Sequence, residues 1–275
     1  MASPGVRPRW YSKSATSERY TTSLVEPNEL RATLDRLKPE NSLVTSIAQV
    51  IRLRYICYMP HIISFPYRRF HIKLATHGPD DHISREIDKN RNFYEAKMLE
   101  YIASVVPPGG TWIDAGACIG THTVFFATVC EAASVVSYEP HPANFQLLKE
   151  NIRLNGISHI VLPFNAGISA DGRAMDLRTS PGNFGNTDLV AGKGVETIVP
   201  DLDLDSPILR NVRFLKIDCE GMSMEVFSAF LPIVKRYKPH IAIECGMNEL
   251  KAVEDAGYTR LKTFNATPTH IMAPL

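Results

Sequence analysis

None of the five cysteines in this 275-residue chain (Cys57, Cys118, Cys130, Cys219 and Cys245) forms a C-x-x-C pair or stands at a metal-ligand spacing from a histidine. That argues against a zinc site and a disulfide framework, and it fits a reducing cytoplasm. A charge excess is missing as well. Net charge is +1, which gives no global electrostatic pull toward nucleic acid. There is no Asn/Asp-Pro-Pro-Tyr/Phe motif for methylating exocyclic amines, and the small basic clusters at Arg52, Arg54, Arg68 and Arg69 read as a solvated face. No apolar run reaches the roughly 20 residues of a bilayer span, since the most apolar early stretch, 42–59, carries Arg52 and Arg54 in its middle. Internal repeats and long low-complexity tracts are absent. The first thirty residues lack the apolar core of a signal peptide. Met1 to Ser23, rich in Ser, Thr and Arg, has the composition of a transit peptide, but a disordered leader over residues 1–25 is the preferred reading.

What is present is enough apolar residue, 44% of the chain, to bury one full core. Residues 26–92 are expected to form an N-terminal helical extension. It would hold a short amphipathic helix over 29–38, with Leu30, Leu34 and Leu37 on one face, and a second helix over 42–59. The aromatics that follow, Tyr55 to Phe70, suit packing on the core best. A homodimer contact, a membrane-surface face and a lid are the other readings. His77 to Arg91 is polar and turn-rich, and it leads into a helix over 93–106 that Pro107, Pro108, Gly109 and Gly110 end.

From Thr111 the pattern changes to alternating strands and helices, the mark of a parallel sheet covered on both faces. The organising stretch is TWIDAGACIG, Thr111 to Gly120: a short strand, a glycine turn and the start of an apolar helix. Gly116 and Gly120 let the backbone turn tightly against a ligand, and strand, turn and helix N-terminus together make a nucleotide-type pocket at the sheet's carboxyl edge. A dinucleotide site wants G-x-G-x-x-G. Here the first glycine place holds Asp114, and Cys118 follows two residues after Gly116. A carboxylate at that point repels a pyrophosphate and suits a cationic ligand without phosphates, as S-adenosylmethionine is. The next strand, 135–138, ends in Glu139, an acid placed to accept both ribose hydroxyls.

Further along, Pro140 and Pro142 open a helix over 143–154 closed by Asn155-Gly156, and a third strand over 160–165 follows. A long glycine-rich loop, 180–194, has the length of a functional loop, with Asn183 and Asn186 as candidate acceptor contacts. Phe214 to Glu220 reads as a strand whose alternation puts Lys216, Asp218 and Glu220 on one face, pointing at the crevice of Asp114 and Glu139. His240 to Glu244 ends in a further acid, and an antiparallel pair, 259–264 and 270–273, closes the far edge. His122 and His141 fall near the pocket with structural roles preferred; Cys219 and Cys245 read as small buried hydrophobes.

WIDAGACIGTHT, YEPHPANFQLLKENIRLN, FNAGIS, FLKIDCEG and PHIAIEC, in that order and preceded by Phe93-Tyr94-Glu95, resemble the FkbM family of S-adenosylmethionine-dependent methyltransferases over about residues 80–260. The resemblance implies an α/β fold: a Rossmann-like class I methyltransferase sheet, mostly parallel with a reversed last strand, in a cofactor-binding domain of residues 93–275. It implies methyl transfer to a hydroxyl of a small molecule, sugar or natural product. It also implies that Asp114, Gly116, Ala117, Cys118 and Gly120 hold the methionine part, with Glu95 near its ammonium. Glu139 and Pro140 would then serve the ribose, Asn165 and Ala166 the adenine, and Asp218 and Glu220 the transferred methyl. Asp218 is the first candidate for base or acceptor-orienting group, ahead of Glu220 and Glu244. Three acids at one edge also form an oxygen-ligand set for Mg²⁺; that metal is the less favoured reading, and no metal ligand is assigned. Two departures stand out: Cys118 replaces a common Asn, and Ser223 replaces the Glu of an E-G-A-E run, leaving Glu225 as its substitute. An NAD(P)-dependent oxidoreductase and a degenerate cofactor-binding member are the alternative functions.

Overall fold

The computed structural model describes residues 60–180, 183–192, 197–198, 207–209, 211–264 and 268–275. The leader, the two helices expected over 29–38 and 42–59, and Tyr55 and Tyr58 lie outside them.

The described chain begins with a hairpin, β1 (His61–Tyr67) and β2 (Phe70–Thr76), paired from His61↔Thr76 to Tyr67↔Phe70. Ile63, Phe65, Ile72 and Leu74 alternate inward, so one hairpin face is buried. Within the stretch expected to be helical, this is the largest departure. Period-two alternation around the Arg68-Arg69 turn carries the signal, and Arg68 takes φ 51° there. The polar run after it is not all turn: α1 (His82–Asn90) starts at Asp81, whose carboxylate accepts from the Ser84 amide at 2.9 Å. Helix α2 (Ala96–Val105) follows. Phe93, just ahead of it, meets Phe65, Tyr67 and Phe125 edge-on at centroid distances of 5.5, 5.0 and 5.1 Å, which anchors the hairpin to the core.

Next come β3 (Thr111–Ala115), α3 (Thr121–Thr128), β4 (Ser134–Tyr138), α4 (Pro142–Leu154) and β5 (Val161–Phe164). Two-residue β6 (Gly167–Ile168) pairs in parallel with β9 (Thr197–Ile198). Between them β7 (Met175–Ser180) and β8 (Asn183–Ala191) form a separate antiparallel hairpin, where the sequence suggests a loop over 180–194. The chain ends through β10 (Val212–Ile217), α5 (Ser223–Ala229), α6 (Leu231–Tyr237), β11 (His240–Glu244), α7 (Met247–Asp255), β12 (Tyr258–Phe264) and β13 (Thr269–Pro274).

The main sheet has seven strands in the order β12-β13-β11-β10-β3-β4-β5. Every neighbouring pair from β11 to β5 is parallel, and β13 runs antiparallel to both β11 and β12. This is the Rossmann-like order with the last strand reversed that the resemblance implies. Side chains sort by parity. Trp112, Val135, Phe214 and Ala242 face one apolar layer with the hairpin and α1 to α4. Ile113, Val136, Leu215 and Ile241 face the other, with α5 to α7. Helix α3 is buried all round from Thr121 to Ala127, as a helix packed under a ligand turn has to be. Among the described residues no helix is long and apolar enough to cross a membrane.

Candidate functional site

At the carboxyl edge β3 runs into a turn that is pinned to β4. The amides of Gly116 and Ala117 both donate to the Tyr138 carbonyl, at 3.0 and 2.9 Å, and Gly120 N–H donates to Ala117 O at 2.8 Å. Gly116 (φ 80°) and Gly120 (φ 83°) are both left-handed, and both are also crowded. A Cβ on Gly116 would overlap the Asp218 carbonyl oxygen, and one on Gly120 would overlap the Leu148 side chain. Cys118 is left-handed too, at φ 51°. Asn, the residue the resemblance puts there, tolerates that conformation better than Cys does, so the substitution costs on the order of 1 kcal/mol.

Glu139 braces this turn from β4. Its Oε2 accepts from Cys118 N–H at 2.8 Å, and its Oε1 accepts from His141 N–H at 2.8 Å and from the Asn144 amide at 3.4 Å. The residue is 4% exposed. Burial pushes its carboxyl up to about 7 against those three donors. His141 caps α4, its Nδ1 accepting from Ala143 N–H at 3.2 Å. Asn165 is spent on the backbone: its amide donates to the carbonyls of Glu139 and Pro140 at 2.9 and 3.1 Å.

The charges form a second layer. Asp114 is fully buried, with Thr123 Oγ1 donating to Oδ2 at 2.6 Å and Lys216 Nζ lying 3.2 Å from Oδ1. Lys216 also donates to Gly116 O at 2.9 Å and stands 3.4 Å from Asp218 Oδ2. Burial opposes its charge, but Asp114 and Asp218 together hold it firmly protonated. Asp218 is likewise pushed up by burial, yet the Lys216 ammonium and a hydrogen bond from Glu244 leave it below the usual carboxylate range. Glu244 carries the proton of that pair: burial, then Asp218, raises it to about 9. Beyond it Glu95, itself left-handed at φ 56°, is lifted by burial and by Asp218 to about 7. Its Oε2 lies 3.4 Å from Nε2 of His122, which burial keeps neutral, with a pKa of about 4.

These shifts make a stability prediction. A carboxyl raised in the folded state contributes stability that is complete below its unfolded value and is lost as pH rises through the folded one. Glu95 and Glu139, moved from 4.5 to about 7, should each cost the ligand-free protein about 3 kcal/mol between those pH values. Urea midpoints should fall from pH 5 to pH 8, and Glu139→Gln should flatten part of the decline. A level profile would place both carboxyls in water.

An open cavity is lined by Gly116, Cys118, Glu139, Pro140, Ala166, Asp218 and Glu220 among the residues expected at the site. Asp114, Ala117, Gly120 and Asn165, expected at the site, are not among the residues that line it. Glu95 and Glu244 belong to the carboxylate cluster around Asp218 rather than to the cavity lining. Lys216 lies with Asp114 and Asp218, as the alternation implies, without lining the cavity itself; β10 stops at Ile217, so strict alternation ends there, and Cys219 lines the cavity beside Asp218 and Glu220. Glu225, the suggested substitute for the missing acid, is held by Arg173 through both oxygens, at 2.6 and 2.7 Å, and does not line the cavity. Sequence reading missed Asn144 and the β8 residues Gly185, Thr187 and Leu189, which also face the cavity. Their period-two spacing is a strand signal hidden inside an apparent loop. The side chains of Asn183 and Asn186 lie outside the described residues. No group of three or more His, Cys, Asp or Glu among the described residues is arranged to hold a metal ion.

Residues 114–265, more than half of the chain, match the model of the methyltransferase FkbM domain. The chain belongs to the FkbM methyltransferase family. The FkbM match runs from Asp114 to the end of β12, and the hairpin, α1 and α2 precede it. Among curated relatives, the hexuronic acid methyltransferase AglP of Haloferax volcanii is 32% identical over 118 residues, 41% of this chain and 46% of that protein. Methyltransferase 1 of Beauveria bassiana is 25% identical over 151 residues, 46% of this chain and 60% of that protein. The chain thus matches only about half the length of these relatives. The crystal structure of an FkbM methyltransferase from Methylobacillus flagellatus aligns over 71% of this chain and 55% of that one, at 16% identity and a TM-score of 0.42.

Proposed function

We propose that this FkbM domain transfers a methyl group from S-adenosylmethionine to a hydroxyl oxygen of a small-molecule, sugar or natural-product acceptor. The observation that carries the reading is the turn itself. Gly116, packed against the Asp218 carbonyl, and a buried carboxylate, Glu139, line the same cavity. A ribose diol is the neutral donor pair such a carboxylate accepts from, and burial strengthens the interaction. In this reading Gly116 and Cys118 hold the cofactor's middle, Ala166 to Ile168 flank its adenine, and Glu95 takes the ammonium. When bound, the cofactor supplies an electrophilic methyl on a sulfonium.

The chain's own contribution is mainly positioning, a source of roughly 7 to 11 kcal/mol in well-oriented reactions. Asp218, ionised and held by Lys216, is a weak base and a good acceptor for a hydroxyl proton. Glu244 donates its proton to Asp218 and fixes the carboxylate's orientation. A glycan-type acceptor gains support from the likeness to AglP, which its name describes as acting on hexuronic acid. We expect no nucleic-acid substrate, because the charge is balanced.

Calorimetric titration tests the cofactor. S-adenosylmethionine and S-adenosylhomocysteine should bind and NADH should not, and Glu139→Ala should weaken both cognate ligands at least tenfold. Binding of NADH alone would move the chain to the oxidoreductase reading, and binding of none of the three would falsify the methyltransferase one.

A further inference from the structure

Helix α4 and its C-cap carry three asparagines on one side, Asn144, Asn151 and the cap residue Asn155, at spacings of seven and four. Each meets a residue of the hairpin side of the molecule, in reverse order. Asn155 accepts from Lys73 N–H at 3.1 Å and donates to Lys73 O at 2.7 Å. Asn151 accepts from Ala75 N–H at 2.5 Å and donates to Ala75 O at 3.0 Å. The Asn144 Oδ1 lies 2.7 Å from Nε2 of His77. The fit is geometric: four helix residues rise about 6 Å, close to the roughly 6.7 Å of two strand residues. Two side-chain amides thus pair with alternate residues of β2 as a neighbouring strand would.

Two of the three also reach the glycine turn or Glu139. The second Nδ2 hydrogen of Asn151 goes to the Ile119 carbonyl at 2.7 Å, inside the turn between Gly116 and Gly120, so both donors and the acceptor of this fully buried amide are used. Leu148, one helical turn earlier, is the side chain that crowds Gly120. Asn144, oriented by His77, donates to Glu139. Asn155 has the same bonds to β2, gives its amide also to the Asn151 carbonyl at 2.8 Å, and among the described residues has no hydrogen bond to the turn.

We propose that the β1–β2 hairpin, which precedes the matched family stretch, is a working part of the cofactor site. In it Asn151 is the positioning residue of the glycine turn, and His77, through Asn144, is that of Glu139. The proposal rests on the cofactor reading above. Hairpin docking and cofactor binding are then one event: loosening β2 frees the Ile119 carbonyl to rotate and takes the Cys118 amide away from Glu139.

The test compares Asn151→Leu with Asn155→Leu. Each removes one pair of hydrogen bonds to β2, and only the first releases the turn. S-adenosylhomocysteine affinity by calorimetry is expected to fall at least tenfold in Asn151→Leu and to stay within twofold in Asn155→Leu, whatever their thermal midpoints. His77→Phe should lose severalfold. Asn151→Ser serves if the leucine variant does not fold. On the unaltered protein, adding S-adenosylhomocysteine should slow amide hydrogen exchange at Lys73 and Ala75 together with Cys118. Equal affinity losses in the two leucine variants, no loss in either, or hairpin amides indifferent to the ligand would overturn the proposal while leaving the cofactor reading intact. An unaltered protein that binds no S-adenosylhomocysteine would remove both.

Discussion

Gly116→Ala is expected to abolish measurable binding of S-adenosylhomocysteine, a loss of at least a hundredfold, and to lower stability by about 3 kcal/mol. Two separate costs meet at this position. The left-handed φ of 80° is unfavourable for any residue with a Cβ, by about 1 to 2 kcal/mol. The added methyl would also land on the Asp218 carbonyl oxygen, a backbone atom that cannot rotate away. Asp218 N–H is already held by Ala115 O at 3.1 Å, and Gly116 O by Lys216 at 2.9 Å. Relief therefore has to come from parting the ends of β3 and β10, which moves Asp218 and opens the turn together. Gly156→Ala is the control. It has φ 67° with nothing within 4 Å, so it carries the conformational cost alone, about 1 kcal/mol, and should leave affinity unchanged. Calorimetry and urea denaturation on both variants measure the difference. If Gly116→Ala binds like Gly156→Ala, close approach at Gly116 is not what shapes the site.

The parts of this fold that show in the sequence are those where local pattern and tertiary environment agree. Trp112 to Tyr138 reads as strand, turn, helix, strand because each element is short, uniformly apolar and punctuated by glycine. Tyr258 starts its strand right after the turn glycine Gly257. The β1–β2 hairpin escapes for the opposite reason. Pro66 inside a strand and two arginines at the turn mask an alternation that tertiary contact with Phe93 makes decisive. The carboxylates were legible as a set but not in their division of labour. Glu139, Asp218 and Glu244 are each an acid closing a strand or following one. Only the position of Lys216 makes Asp218 the ionised member and leaves Glu244 holding the proton. Asn144 and Asn151 gave no signal at all, because an asparagine on a helix face is unremarkable until the strand it pairs with is in place.

Lys216→Met should be the most destabilising single change at the site, by about 3 to 5 kcal/mol near neutral pH. The methionine fills the same space, so packing is not the cause. What is left behind is Asp114, fully buried, with Thr123 as its remaining hydrogen-bond donor in place of an ammonium 3.2 Å away. A lone buried carboxylate escapes its desolvation penalty by taking a proton. The sign follows: the deficit should be small at pH 5 and grow as pH rises toward 8. Asp114→Asn in the same chain removes the stranded charge and should restore most of the loss, so that the double variant is more stable than Lys216→Met alone. Urea denaturation of the four proteins at two pH values closes the cycle. If the double variant is no more stable than Lys216→Met and the deficit is flat with pH, the cost lies with the Gly116 carbonyl that loses its donor. Lys216 would then serve the turn directly rather than through Asp114.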